Sequence, residues 1–215
     1  MALQIDSIFP PADERDEPIS NETIYNALSP SGIIKSIQYG SITVAAISNT
    51  ATITAVNTSY SVIFHLGTTV LSGFNDLEWD DICNMLTLTN STTVTASRID
   101  DDEPIYVTFV VVEFEPSIIK SLQQGTITMT GAASSNTATI TSVVASRSLL
   151  INCGTTCSGT TDTIDDTDLV YSKITLTNEN TITCTRNIGT LSPSTTLITK
   201  FMIIEFIWGI LKCIK

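Results

Sequence analysis

The chain has 215 residues, of which 42% are hydrophobic and 15% charged, and its 22 acidic against 10 basic residues give a formal net charge of −12. That is enough apolar material to bury a core, which excludes a disordered polar polymer, and the polar surface has to come mainly from Thr, Ser and Asn. No basic groove is available to neutralise phosphates, which argues against direct nucleic-acid binding, and no apolar run reaches the roughly 18 residues of a membrane-spanning helix.

Residues 1–30 read as an extended N-terminal arm. Leu3, Ile5, Ile8 and Phe9 cluster ahead of Pro10 and Pro11, and the run Asp13-Glu14-Arg15-Asp16-Glu17 is too charged to be a buried strand. The segment has no basic stretch followed by an apolar one, so no signal peptide is expected. Apart from one possible helical turn in residues 22–28, no helical stripe persists anywhere. The arm is expected to gain order only on a partner, because its own burial is too small to offset the entropy of ordering.

From residue 31 onward the sequence repeats itself. Residues 33–43, IIKSIQYGSIT, return as 118–128, IIKSLQQGTIT, and NTATIT at 49–54 returns unchanged at 136–141. Gly67-Thr68-Thr69 matches Gly154-Thr155-Thr156, and residues 86–90, LTLTN, match 174–178, ITLTN. Arg98 matches Arg186, and Val111-Val112-Glu113-Phe114 matches Ile203-Ile204-Glu205-Phe206. Six matched blocks in one order predict an internal duplication, with one repeat at 31–116 and a second at 117–207. Residues 208–215, apolar around Trp208 and Leu211, resemble the opening strand of a third repeat. They are expected to cover an open sheet edge.

Within a repeat, two-residue alternation predicts strands in 41–44, 50–54 and 60–66, a hairpin turning near Asn90-Ser91, and a long closing strand over 105–114. The second repeat does the same at 126–129, 137–141 and 148–152, with Asn178-Glu179-Asn180 as its hairpin turn. About six short strands joined by polar turns predict an all-β fold of two tandem antiparallel β-sandwich units. Acidic loops fall at 70–82 and 157–169, and a further acidic tip at Asp100-Asp101-Asp102-Glu103. Such loops sit where recognition surfaces tend to be built.

Residue types that carry chemistry are sparse. His65 is the sole histidine and lies in an apolar strand; its counterpart is Asn152, so the repeat does not require an imidazole there. No nucleophile elbow or phosphate-cradling glycine loop accompanies it. The acidic loops lack the spacing of a calcium-binding loop. No catalytic residue, cofactor or metal site is therefore expected, and the chain reads as a non-enzyme. Trp79, flanked by Asp80 and Asp81, is the one unusual constellation: either an exposed aromatic for a sugar or protein partner, or a plug over the end of a sandwich. Trp208 and Leu211 are interface candidates of the same kind. Glu113 and Glu205 read as outward-facing residues that pair with Arg98 and Arg186 on a neighbouring strand. Of the five cysteines, Cys83, Cys184 and Cys213 are expected to remain thiols, while Cys153 and Cys157 stand close enough in sequence for a local bridge to remain open.

The motifs at Lys35–Thr43, Asn49–Thr54, Leu88–Thr95 and Val111–Phe114, with their counterparts at Lys120–Thr128, Asn136–Thr141, Leu176–Thr183 and Ile203–Phe206, resemble Thr-rich β modules of tailed-bacteriophage virion proteins. The likeness spans about four fifths of the chain and leaves out residues 1–30. It implies a structural role in the virion, in capsid decoration or in the tail, with other virion proteins and further copies of the chain as partners. The alternative is an adhesion module that binds a host-surface glycan or receptor.

Overall fold

The computed structural model describes residues 32–71, 82–99, 103–158, 171–186 and 196–207. The arm at 1–30, the acidic loop tips with Trp79, Asp80 and Asp81, and the C-terminal segment with Trp208 and Leu211 lie outside the described residues. From Ile34 onward the described residues belong to one compact unit.

The described residues are all-β. In the first half of the chain run β1 (Ile34–Val44), β2 (Ser48–Thr52), β3 (Ser61–Val70), β4 (Met85–Asn90), β5 (Thr93–Ser97) and β6 (Ile105–Phe114). The second half supplies β7 (Ile119–Thr130), β8 (Ser135–Thr139), β9 (Ser148–Ser158), β10 (Lys173–Asn178), β11 (Thr181–Thr185) and β12 (Thr196–Phe206). Among the described residues, helical geometry is confined to single 3-10 turns at Thr58–Tyr60, Pro116–Ile118 and Ala145–Arg147. This is what the density of β-branched residues and the lack of a 3.6-residue stripe call for.

All pairings among the described residues are antiparallel. The strands form a three-stranded sheet β1-β6-β3, a second three-stranded sheet β10-β11-β8, and a six-stranded sheet β2-β5-β4-β9-β12-β7. Pairing follows the same order in both halves: β6 lies between β1 and β3 as β12 lies between β7 and β9, and β5 joins β2 to β4 as β11 joins β8 to β10. The halves are nevertheless not two closed sandwiches. β4 of the first half and β9 of the second meet at Met85 and Gly154, and this single bridge makes one sheet of six strands.

Apolar packing follows that sheet. One cluster combines the interior of the first half, including Phe109, Val111, Leu86 and Leu88, with Ile119, Ile151, Cys153, Met202, Ile204 and Phe206 of the second. A separate cluster, around Ile127, Met129, Ile182, Leu197, Phe201 and Ile203, fills the second half. β12 therefore buries both of its faces: Phe201 and Ile203 point into the second half's own core, while Met202 and Ile204 close over the first. A strand buried on both sides reads as a continuous apolar run, and Phe201-Met202-Ile203-Ile204 is one. The rings of Phe114 and Phe206 meet edge to face, 5.5 Å between centroids. In both halves the central aromatic lies over a glycine of the neighbouring strand, Phe109 on Gly40 and Phe201 on Gly125. A Cβ on either glycine would collide with the ring.

Candidate functional site: the junction between the halves

The polar residues shared by the two halves are engaged with backbone. Gln38 accepts from the Thr54 amide (2.7 Å) and donates to the Thr54 carbonyl (3.0 Å), and Gln123 does the same to Thr141 at 2.7 and 3.0 Å. Each glutamine thus acts as one rung of a β-ladder, holding the chain leaving β2 or β8 against β1 or β7. Asn49 Nδ2 donates to the Thr43 carbonyl (2.8 Å) and Asn136 Nδ2 to that of Thr128 (2.7 Å), locking the turn between the first two strands of each half. The hairpin turns fall where expected: the Asn90 side chain accepts from the Thr92 amide (2.9 Å), and the Asn178 side chain from that of Asn180 (3.0 Å).

Glu113 and Glu205 are not outward-facing, and their partners are not the repeated arginines. Both carboxylates are buried, at 4% and 1% side-chain exposure. Glu113 accepts from Lys35 Nζ (2.8 Å), the Asn57 amide (3.1 Å) and Ser36 Oγ (3.3 Å). Glu205 accepts from Lys120 Nζ (3.0 Å), the Val144 amide (3.1 Å) and Arg147 (3.2 Å). Burial alone would raise both carboxyls, but the lysine and the backbone amide outweigh it and hold each below its usual value. The reason alternation misleads here is that β6 and β12 have a neighbouring chain segment folded over their C-terminal ends.

Arg98 and Arg186 lie at the other end of the long strands, eight or more residues away, roughly 27 Å at the rise of a β-strand. Arg98 is 2% exposed, and its guanidinium donates to the carbonyls of Ala46 (3.2 Å) and Glu103. Arg186 donates to those of Ala133 (3.0 Å) and Gly131. Each arginine ties down the loop between the first two strands of its half. A planar fork of donors suits several carbonyls converging on one buried point.

His65 lies where the halves meet. Its Nε2 is 2.8 Å from Asn84 Oδ1 and 3.4 Å from Thr68 Oγ1, and Asn84 Nδ2 donates to Thr68 Oγ1 (2.5 Å) and to the Ile82 carbonyl (3.0 Å). Burial lowers the pKa of His65, with the Asn84 bond opposing, so the ring is neutral at pH 7. The Asn84 carbonyl in turn accepts from the Thr155 amide of the second half (3.0 Å). Around this cluster is a cavity of about 300 Å³, lined by His65, Thr68, Asn84, Gly154, Tyr171 and Ser172 among others. The equivalent cluster of the second half is built on hydroxyls: Ser172 Oγ is 2.7 Å from Thr199 Oγ1 and 3.0 Å from Thr155 Oγ1. The junction is a polar network around one neutral imidazole, and Cys83 and the hydroxyls of Thr68, Thr155 and Ser172 lie on the same cavity wall.

Cys153 carries its thiol, so the local bridge to Cys157 left open by the sequence is not formed. Its Sγ is directed at the Ile63 carbonyl (3.7 Å), and burial pushes its pKa up to about 12. Cys184 is also a thiol, 3.5 Å from Thr199 Oγ1. Cys83 and Cys157 pack against each other in a small buried cluster. Cys213 lies outside the described residues. Among the described residues no group of three His, Cys, Asp or Glu side chains is placed to hold a metal ion, and no helix is long and apolar enough to cross a membrane.

Sequence reasoning identified the matched block Gly67-Thr68-Thr69 and Gly154-Thr155-Thr156 but not its role, which is the junction itself. The signal was a glycine kept at one place inside an apolar strand in both halves, a known mark of a bulge or a close backbone approach. No family model matches the chain, and neither does any curated protein or solved structure.

Proposed function

We propose that the chain is a non-enzymatic structural protein of a bacteriophage virion, a capsid decoration or tail component, built from two copies of one β-sandwich unit related by internal duplication. The observation that carries the structural role is the fate of the shared polar residues. Gln38 and Gln123, Asn49 and Asn136, Arg98 and Arg186, and Glu113 and Glu205 each make the same kind of bond to loop or strand backbone in both halves. Polar groups kept twice and spent twice on holding loops suit a scaffold that presents surfaces. The assignment to a virion rests on the resemblance of the Thr-rich motifs to phage β modules.

The partners are then other virion proteins and further copies of the chain. The test is composition: purified particles should contain the chain in a fixed ratio to the major shell or tail protein, with its density located in a map of the intact particle. Particles that lack the chain, yet come from cells that produce it, refute the reading.

A further inference from the structure

The contact between the halves is one-sided, and each half keeps the surface that the other has used. Gly154 and Gly67 occupy the same place in β9 and β3, each with positive φ (110° and 142°) at a β-bulge. A Cβ on Gly154 would lie 2.2 Å from the Asn84 carbonyl oxygen and 3.0 Å from Met85 Cα, whereas a Cβ on Gly67 would have nothing within 4 Å. The first glycine lets β4 approach; the second has the same backbone and, among the described residues, no strand against it.

The side chains around them differ in the same sense. Cys153 is fully buried and its counterpart Leu66 is 53% exposed; Ile119 is 7% exposed and its counterpart Ile34 46%. On the opposite surface, Cys83 is 9% exposed and its counterpart Tyr171 62%, and the buried Leu86 and Leu88 of β4 correspond to half-buried Ile174 and Leu176 of β10. The sheets express the same deficit. The six-stranded sheet reads β2-β5-β4 joined to β9-β12-β7, and the two three-stranded sheets, β8-β11-β10 and β3-β6-β1, are the corresponding halves left unjoined.

We infer that a second copy of this chain supplies the missing partner. β10 of one copy docks antiparallel beside the Gly67 bulge of β3 in the next, making a second six-stranded sheet across the contact. Tyr171 of the first copy then packs on the exposed edge of β3 in the second, as Cys83 packs on Cys157 of β9, and the Ser172 carbonyl accepts from the Thr68 amide as the Asn84 carbonyl accepts from Thr155. The occupant is argued from the contact already made within the chain, whose two complementary surfaces are both present and, among the described residues, both uncovered. Because the contact joins unlike surfaces, it propagates head to tail. The inference deepens the assembly reading above, and its test is separate: a chain that stays monomeric removes this contact while leaving the composition of particles to be measured.

The experiment is analytical ultracentrifugation of the full chain over a concentration series, with Leu66→Glu and Tyr171→Glu. Both side chains are exposed, and circular dichroism confirms that each variant keeps its β signature; Leu66→Ser and Tyr171→Ser serve in place of any that does not. Wild type should form species larger than a dimer as concentration rises. Each variant alone should lose that association and sediment as a monomer. An equimolar mixture of the two should stop at the dimer, since only the intact Leu66 surface of one and the intact Tyr171 surface of the other remain. A wild-type chain that is monomeric throughout, single variants that associate like wild type, or a mixture that never dimerises each overturns the inference. So does association that appears only after residues 1–31 are deleted, which would make the arm the occupant.

Discussion

The two halves share a strand plan and differ in how far each is finished. In the second half, β12 is covered on both faces and the Gly154 bulge is filled by β4. In the first, the corresponding face of β1 and β3 leaves Ile37, Tyr39 and Leu66 at 49%, 76% and 53% exposure. Similar sequence in two settings gives a buried surface once and an open surface once. A side chain's burial is set by what the rest of the chain brings to it, and local alternation supplies only the direction in which it points.

The sharpest break in that comparison is a pair of glycine substitutions. Gly154→Ala adds a methyl into the Asn84 carbonyl at a backbone angle that alanine tolerates poorly, and should cost about 3 kcal/mol or more. Gly67→Ala meets the unfavourable angle alone and should cost roughly 1–2 kcal/mol. Denaturant midpoints at unchanged m-value measure both. Equal losses would mean that the approach of β4 to Gly154 contributes nothing to stability.

Next come the buried glutamates. Glu205→Gln weakens bonds to two cations and an amide and should cost about 2–3 kcal/mol; Glu113→Gln, which faces one cation, an amide and a hydroxyl, should cost about 1–2 kcal/mol. Both carboxyls are held below their usual value, so the stability they supply is fully present above the ordinary carboxylate range and is lost as pH falls through the lowered folded value. Thermal melts from pH 7 to pH 3 should therefore show a shallower acid loss in each variant than in wild type, and the larger flattening in Glu205→Gln.

A smaller effect attaches to His65. Its folded pKa is lowered, so the unfolded chain takes up a proton first, and stability should fall as pH drops below about 6.5. His65→Asn installs the residue found at the same place in the second half, at Asn152. It should remove that component of the pH dependence while changing stability little at pH 8, as read from melts between pH 8 and pH 5. The smallest effect is chemical: the Cys153 thiol, buried and with a pKa near 12, should react with a thiol reagent only on unfolding. Rapid labelling of native Cys153, located by peptide mapping, would show that the seam between β3 and β9 opens.

Much of the strand plan was legible. The hairpins at Asn90 and Asn178 and the long closing strands fall on segments marked by alternation and by Asn-containing turns. Burial of the glutamates was not legible, because one charged residue in an apolar strand looks the same whether it faces water or a lysine and an amide brought from elsewhere. The arginines were assigned to the wrong partners for a related reason. Charge complementarity suggested glutamate, whereas the strand direction puts Arg98 and Glu113 at opposite ends of β6. The joining of β4 to β9 left its one trace in Gly154, whose meaning depends on a strand some seventy residues earlier.

That joining also determines how the molecule comes apart. The core of the first half is completed by Met202, Ile204 and Phe206, which belong to the last strand of the second. Neither half can lose its structure without uncovering apolar surface in the other, so the energetic unit is the pair. Heating should melt residues 34–207 in a single calorimetric transition whose van't Hoff and calorimetric enthalpies agree.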